Sequence, residues 1–176
     1  NATREIVPVA ESDSTILPVT KGVAATRDDI SVVVAYLKDV KALDGFGVMI
    51  VNETSHWISF KKEECVLIQS GEVRRPLDDP QVAARLGGSY KPKMPEGLAG
   101  DISEWRRDVN SRVSRGFKVS DEDKTLSIIS GTRETVYLYF NTREDTAPIE
   151  LIIPNIYNEA TKQRTRFSFK FVVEKK

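Results

Sequence analysis

Hydrophobic residues gather in short β-branched or aromatic runs along this chain, and polar or glycine-containing corners separate them. The densest stretch is Gly45 to Ile68, where GFGVMIVN, the corner ETS and HWISFKKEECVLI follow one another. It predicts one long strand, a turn and two shorter strands. Within the first strand, Phe46, Val48 and Ile50 face one way, and Met49 and Val51 the other. Upstream, ISVVVAYL over 30–37 is too apolar for clean alternation and too β-branched for a helix, which predicts a strand buried on both faces. The turn joining the two strands is expected to end at Asp44-Gly45, a dipeptide common in tight hairpins. Asn52-Glu53-Thr54-Ser55 reads as a corner, because such side chains bond their own backbone. Asn52-Glu53-Thr54 and Asn1-Ala2-Thr3 also match the glycosylation acceptor triplet, at the level chance produces.

The ends of the chain differ in clarity. Residues 1–29 hold REIVPVA and STILPVT, interrupted by Pro8 and Pro18, which predicts edge strands or an extended arm. After Lys124 come TLSIIS, a Gly131-Thr132 turn, ETVYLYF and IELIIP. The last run, TRFSFKFVV, alternates cleanly: Phe167, Phe169, Phe171 and Val173 point inward while Arg166, Ser168 and Lys170 face solvent.

Between Pro76 and Lys118 the strand pattern vanishes. Asp79 as cap, Pro80 and Gly87 predict a short helix over 80–86. A glycine- and proline-rich loop follows over 87–100. Asp101, with Glu104 three positions on, is expected to cap a second helix ending at Gly116, with Ile102, Trp105, Val109 and Val113 as its apolar face. Strand runs with helices confined to one segment predict a mainly β protein, an antiparallel β-sandwich of about seven to nine strands with a helical insertion over 77–118. The insertion is expected at the end of the sandwich or against one edge.

Composition narrows the classes. A chain of 176 residues fits a single domain over 1–176. Lys+Arg and Asp+Glu balance at 26 each, which argues against a nucleic-acid partner. No apolar run approaches the ~18 residues that cross a bilayer. The one cysteine, Cys65, excludes an internal disulfide, and its place in ECVLIQ predicts a buried small hydrophobe. Beginning without methionine, the chain reads as a trimmed or mature form.

Chemistry is sparse. Nucleophilic catalysis needs a base, and His56 is the one histidine, set beside Trp57 at a strand start. Zinc-type sites need several Cys and His ligands, and Asp121-Glu122-Asp123 lacks the spacing of a calcium loop, so no metal or other cofactor is expected. Gly87-Gly88 lacks the lysine-serine ending of a phosphate loop. The distinctive feature is charge. From Arg85 to Lys118 eight basic residues accompany four acids, an excess of four. Arg106, Arg107, Arg112 and Arg115, with Trp105 and Tyr90, are the candidate binding residues, facing either a partner or plain solvent.

The run VVVAYLKDVKALDGFGVMIVNETSHWISFKKEECVLIQSGEVRRPL resembles a pattern in uncharacterised immunoglobulin-like domains of bacterial secreted proteins and lipoproteins. TLSIISGTRETVYLYFNTREDTAPIELIIP is similar to the later half of such domains. The resemblance covers about two-thirds of the chain, departs from those domains at 76–118 and carries no catalytic residues. It implies an immunoglobulin-like sandwich held by packing alone, and an extracytoplasmic address in the periplasm or envelope, with or without a removed lipid anchor. The expected role is non-enzymatic, either contact with a protein or envelope component or a structural unit whose exposed edge pairs with another chain, as a monomer or weak dimer. The alternative is a small-ligand receptor or enzyme with a pocket between sandwich and insertion, lined by Trp105, Tyr90 and His56.

Overall fold

Two antiparallel sheets form because the β-branched runs bury one another's faces. The computed structural model describes residues 4–38, 40, 42–110, 112–113, 116–118 and 124–175. The smaller sheet contains β2 (Ser14–Ile16), β3 (Val23–Arg27), β4 (Ile30–Leu37), β5 (Leu43–Asn52) and β11 (Arg133–Asn141), in the order β11-β5-β4-β3-β2. The larger sheet runs through β1 (Arg4–Pro8), β13 (Arg164–Lys175), β12 (Ile149–Asn158), β6 (Ile58–Phe60), β10 (Leu126–Ile128) and β9 (Gly116–Lys118). The hairpin of β7 (Val66–Gln69) and β8 (Glu72–Arg74) pairs with β12 in the same sheet. The strands read from the sequence are present, and the short strands β3, β8 and β9 join them. A β-sandwich with a helical insertion is therefore the fold.

The main core lies between the sheets. Val32, Val34, Phe46, Val48 and Ile50 from the smaller sheet meet Ile153, Phe167, Phe169 and Phe171 from the larger. The alternation read in the last run holds: Arg166 and Lys170 are exposed while their neighbours Phe167, Phe169 and Phe171 are buried. Cys65 is fully buried in this core, where loss of solvation pushes its thiol pKa up.

β4 and β5 are buried on both faces because the smaller sheet is the middle of three layers. Its outer side carries Ala24, Val33, Met49 and Val51, covered by Leu98, Ile102 and Val109 of the insertion. Leu37, Leu43 and Tyr139 are likewise covered, by Leu77, Val82 and Leu86. The insertion thus lies flat on a sheet face rather than at the sandwich end or edge. Its apolar stripe needs an apolar surface, and the outer positions of β4 and β5 supply one. Gly47 sits on that outer side, and a Cβ there would fall 2.1 Å from Met94 Sδ, so the glycine makes room for the insertion.

Several expected boundaries move. Asp44-Gly45 lies inside β5, and the chain turns before it, at Ala42 with φ 65°. Asp44 is instead buried between Arg4, 3.1 Å away, and Arg74, 3.0 Å away, tying β1 and β8 to the smaller sheet. β12 continues past Pro154 because its register with β13 shifts between Ile153 and Ile156, and a proline without an N–H fits such a bulge.

Helix α1 (Asp79–Leu86) is capped by Asp78 rather than Asp79, with a reciprocal Gln81 bond. Helix α2 (Leu98–Trp105) starts after Gly97 at φ 87°, three residues before the expected cap. Asp101 is already inside α2, and its carboxylate accepts from Val19 N, Thr20 N and the Thr20 hydroxyl. Extended backbone at Arg106 (φ −155°) ends α2, and α3 (Arg107–Asn110) is a separate turn. Ile102 and Val109 stay buried, but Val113 is 57% exposed and outside the apolar face. The expected helix end at Gly116 falls on β9 instead. Asp121, Glu122, Asp123 and Arg115 lie outside the described residues.

Candidate functional site

Tyr137 and Tyr139 stand two positions apart on β11, so both project to the outer side, while Leu138 and Phe140 enter the main core. The outer side has room for two rings because β5 places Gly45 and Gly47 beneath them. A Cβ on Gly45 would sit 3.2 Å from the Tyr139 ring, and one on Gly47 3.4 Å from the Tyr137 ring.

The segment around α1 then closes over these rings. Leu77 donates its backbone N–H to Tyr139 O at 2.8 Å, and Tyr90 brings its hydroxyl to 3.1 Å from the Tyr139 hydroxyl. The two rings meet edge to face, with centroids 6.0 Å apart.

A cavity of about 380 Å³ remains between α1, the 87–92 loop and the open side of β11. Its apolar wall comprises Phe60, Leu77, Val82, Leu126, Val136 and the tyrosines 90, 137 and 139. Lys62, Glu63, Asp79 and Lys124 supply charge on its wall, with Lys62 Nζ bonded to Asp79 at 2.7 Å. The volume lies in the lower part of the range for small-ligand pockets, about 300–1,000 Å³. A neighbouring cavity of about 500 Å³ shares Tyr90 and is lined by Tyr36, Lys38, Lys91, Lys93 and Met94.

The tyrosines lining the two cavities share one electrostatic trend. Burial raises the pKa of Tyr137, and burial together with the Tyr90 hydrogen bond raises that of Tyr139. Burial, reinforced by the charge of Asp44, pushes Tyr36 up to about 12. All three phenols are therefore neutral at physiological pH and keep their hydroxyl protons for hydrogen bonding. His56 is elsewhere, with Nδ1 3.5 Å from Asn158 Nδ2. Among the described residues no cluster of three or more His, Cys, Asp or Glu is arranged to hold a metal ion.

Of the residues singled out from sequence, Tyr90 lines the cavity; Trp105 and His56 do not. Trp105 packs on the second core under α2, and the Arg106 guanidinium sits 5.6 Å from its ring centroid. Arg106 donates to Glu53 Oε2 at 2.9 Å and to Asp108 Oδ2 at 2.7 Å. Arg112 lies 3.9 Å from both acids and donates to Gly131 O at 3.0 Å. Burial by itself would raise the Glu53 carboxyl, but hydrogen bonds from Arg106 and Ser31 hold it below its ordinary value. Arg107 is exposed. Two of the basic residues, Arg106 and Arg112, are thus drawn inward by Glu53, an acid that stands far away in sequence.

Tyr137 and Tyr139 were hidden as site residues because YLY reads as ordinary strand texture. The two glycines of GFG were the available signal, since glycine inside a strand marks a close approach. Asn52 is fully buried and donates to His56 O and Ile128 O at 2.8 and 2.9 Å, so it is no glycosylation acceptor in the folded chain. Among the described residues no helix is long and apolar enough to cross a membrane. No protein-family model matches the chain, and neither does any curated protein or any solved structure.

Proposed function

We propose that this chain is a non-enzymatic binding module whose cavity beneath α1 receives an apolar or aromatic group of a ligand or partner. The observation that carries the reading is the cavity itself: about 380 Å³, walled by three tyrosines and by Phe60, Leu126 and Val136. Aromatic and aliphatic walls hold an apolar group, and the tyrosine hydroxyls with the nearby Lys62 and Asp79 orient its polar end. Neither Cys65 nor His56 lines this cavity, so a cysteine–histidine pair does not act there. The arginine-rich face of α2 and α3 has less support as the contact surface, because Arg106 and Arg112 are already committed to Glu53 and Asp108. An envelope address belongs to the same proposal, on the strength of the resemblance in the strand runs.

Ala83 lines the cavity from the exposed face of α1, so Ala83→Trp fills the space without entering either core. Indole titrated into the protein is expected to shift the NMR signals of Tyr90 and Tyr137, and Ala83→Trp to abolish the shifts. Shifts that persist unchanged in Ala83→Trp, or none at millimolar indole, overturn the reading.

A further inference from the structure

β11 is an edge strand, and its outward side is partly occupied by this same chain. Arg133 donates its N–H outward to Val113 O at 3.0 Å, and Tyr139 O accepts from Leu77 N at 2.8 Å. The antiparallel pairing with β5 leaves every second residue of β11 facing away from that partner. By that period Thr135 and Tyr137 also turn their N–H and C=O groups outward. Among the described residues no strand pairs with them. The outward N–H of Thr135 is met instead by the carboxylate of its neighbour, Glu134 Oε1, at a long 3.3 Å. Thr135, Val136 and Tyr137 also line the cavity beneath α1. The open stretch of edge and the cavity are therefore one continuous feature.

We propose that the outward side of β11 between Arg133 and Tyr139, which no described strand pairs, takes an extended peptide of a partner protein as an added strand, with one apolar or aromatic side chain seated in the cavity. The groups on offer are backbone donors and acceptors at strand spacing, and an extended polypeptide is the chemistry that satisfies them. Val113 and Leu77 already mark both ends of that line, so the added segment is short. Six residue steps separate Arg133 from Tyr139, roughly 20 Å at strand rise. The cavity accommodates one large side chain, which gives specificity where the backbone pairing gives none. Seating that side chain rests on the cavity reading above; the backbone pairing rests on β11 alone.

The test uses the whole chain, panned against a displayed library of random decapeptides, with selected peptides measured by fluorescence anisotropy. Thr135→Pro removes the outward N–H at a position where no ladder bond is lost, since edge strands tolerate proline with its nitrogen facing out. Loss of about tenfold or more in affinity is expected for Thr135→Pro, the equivalent of one backbone hydrogen bond at ~1.4 kcal/mol. N-methylation of alternate peptide residues provides the same readout with the protein untouched, should Thr135→Pro unfold the chain. The Thr135 and Tyr137 amides are expected to exchange quickly in the free protein and slowly with peptide bound. No enriched peptide, or binding indifferent to both Thr135→Pro and N-methylation, overturns the proposal. A concentration-dependent dimer abolished by Thr135→Pro assigns the edge to a second copy and also overturns it. Indole binding without peptide binding leaves the cavity reading standing and removes strand addition. Peptides sensitive to Thr135→Pro but indifferent to Ala83→Trp leave strand addition standing and remove the cavity as its anchor.

Discussion

Asp101 is the most informative residue to perturb, because a single carboxylate pins the helical layer to the edge of the smaller sheet. It is 1% exposed and accepts from Val19 N at 3.1 Å, Thr20 N at 2.8 Å and the Thr20 hydroxyl at 2.6 Å. Hydrogen bonds to a charged acceptor contribute about 1.5–3 kcal/mol each, so three of them set an upper bound of roughly 5–9 kcal/mol. The measured loss will be smaller, because Val19 is 71% exposed and water replaces part of what its amide loses. Asp101→Ala is expected to cost about 2–3 kcal/mol, and Asp101→Asn about 1–2 because one acceptor oxygen remains. With a urea m-value of ~2 kcal/mol/M, Asp101→Ala lowers the unfolding midpoint by roughly 1 M.

The pH profile separates this account from simple packing. Burial alone would raise the Asp101 carboxyl, but the Thr20 and Val19 hydrogen bonds outweigh it and hold the carboxyl below its ordinary range. A depressed folded pKa gives stability that is complete above the unfolded value, ~3.9, and is lost as pH falls through the folded one. The gap between wild type and Asp101→Asn should therefore be constant above about pH 5 and close toward pH 2. Equal midpoints at pH 7, or a gap that persists undiminished to pH 2, would show that the Asp101 carboxylate does not pin the layer.

Two further outcomes follow from the same contacts. Arg106→Ala should destabilise by about 1–3 kcal/mol by leaving Glu53 short of its main partner, and a double-mutant cycle with Glu53→Gln in urea should show coupling; purely additive losses would show that the pair contributes nothing. Native Cys65 should resist a thiol reagent at pH 8 until denaturant is added, since the thiol is buried and its pKa raised, and rapid native labelling would place it outside the core.

Local pattern is enough to specify the elements whose identity depends on neighbours a few residues away. Alternation over 165–173 is enough to specify β13 and its two faces, and eight apolar or small residues without helical period are enough for β4. Proline near the start of α1 and glycine at its end are equally local, so that helix was legible to within a residue. Asp44, Asp101 and Glu53 were not legible in the same way. In isolation each is a turn, cap or corner residue, and each is buried or half-buried because of partners far off in sequence. Thr20 is 81 positions from Asp101, and Arg106 is 53 from Glu53. That the insertion covers a sheet face emerges at the level of packing, because it depends on the outer side of β4 and β5 being apolar enough to need a cover. The site emerges at the same level. Tyr90 was visible as a loop aromatic, but its meeting with Tyr137 and Tyr139 above Gly45 and Gly47 requires three segments of the chain to converge, and no local period encodes that convergence.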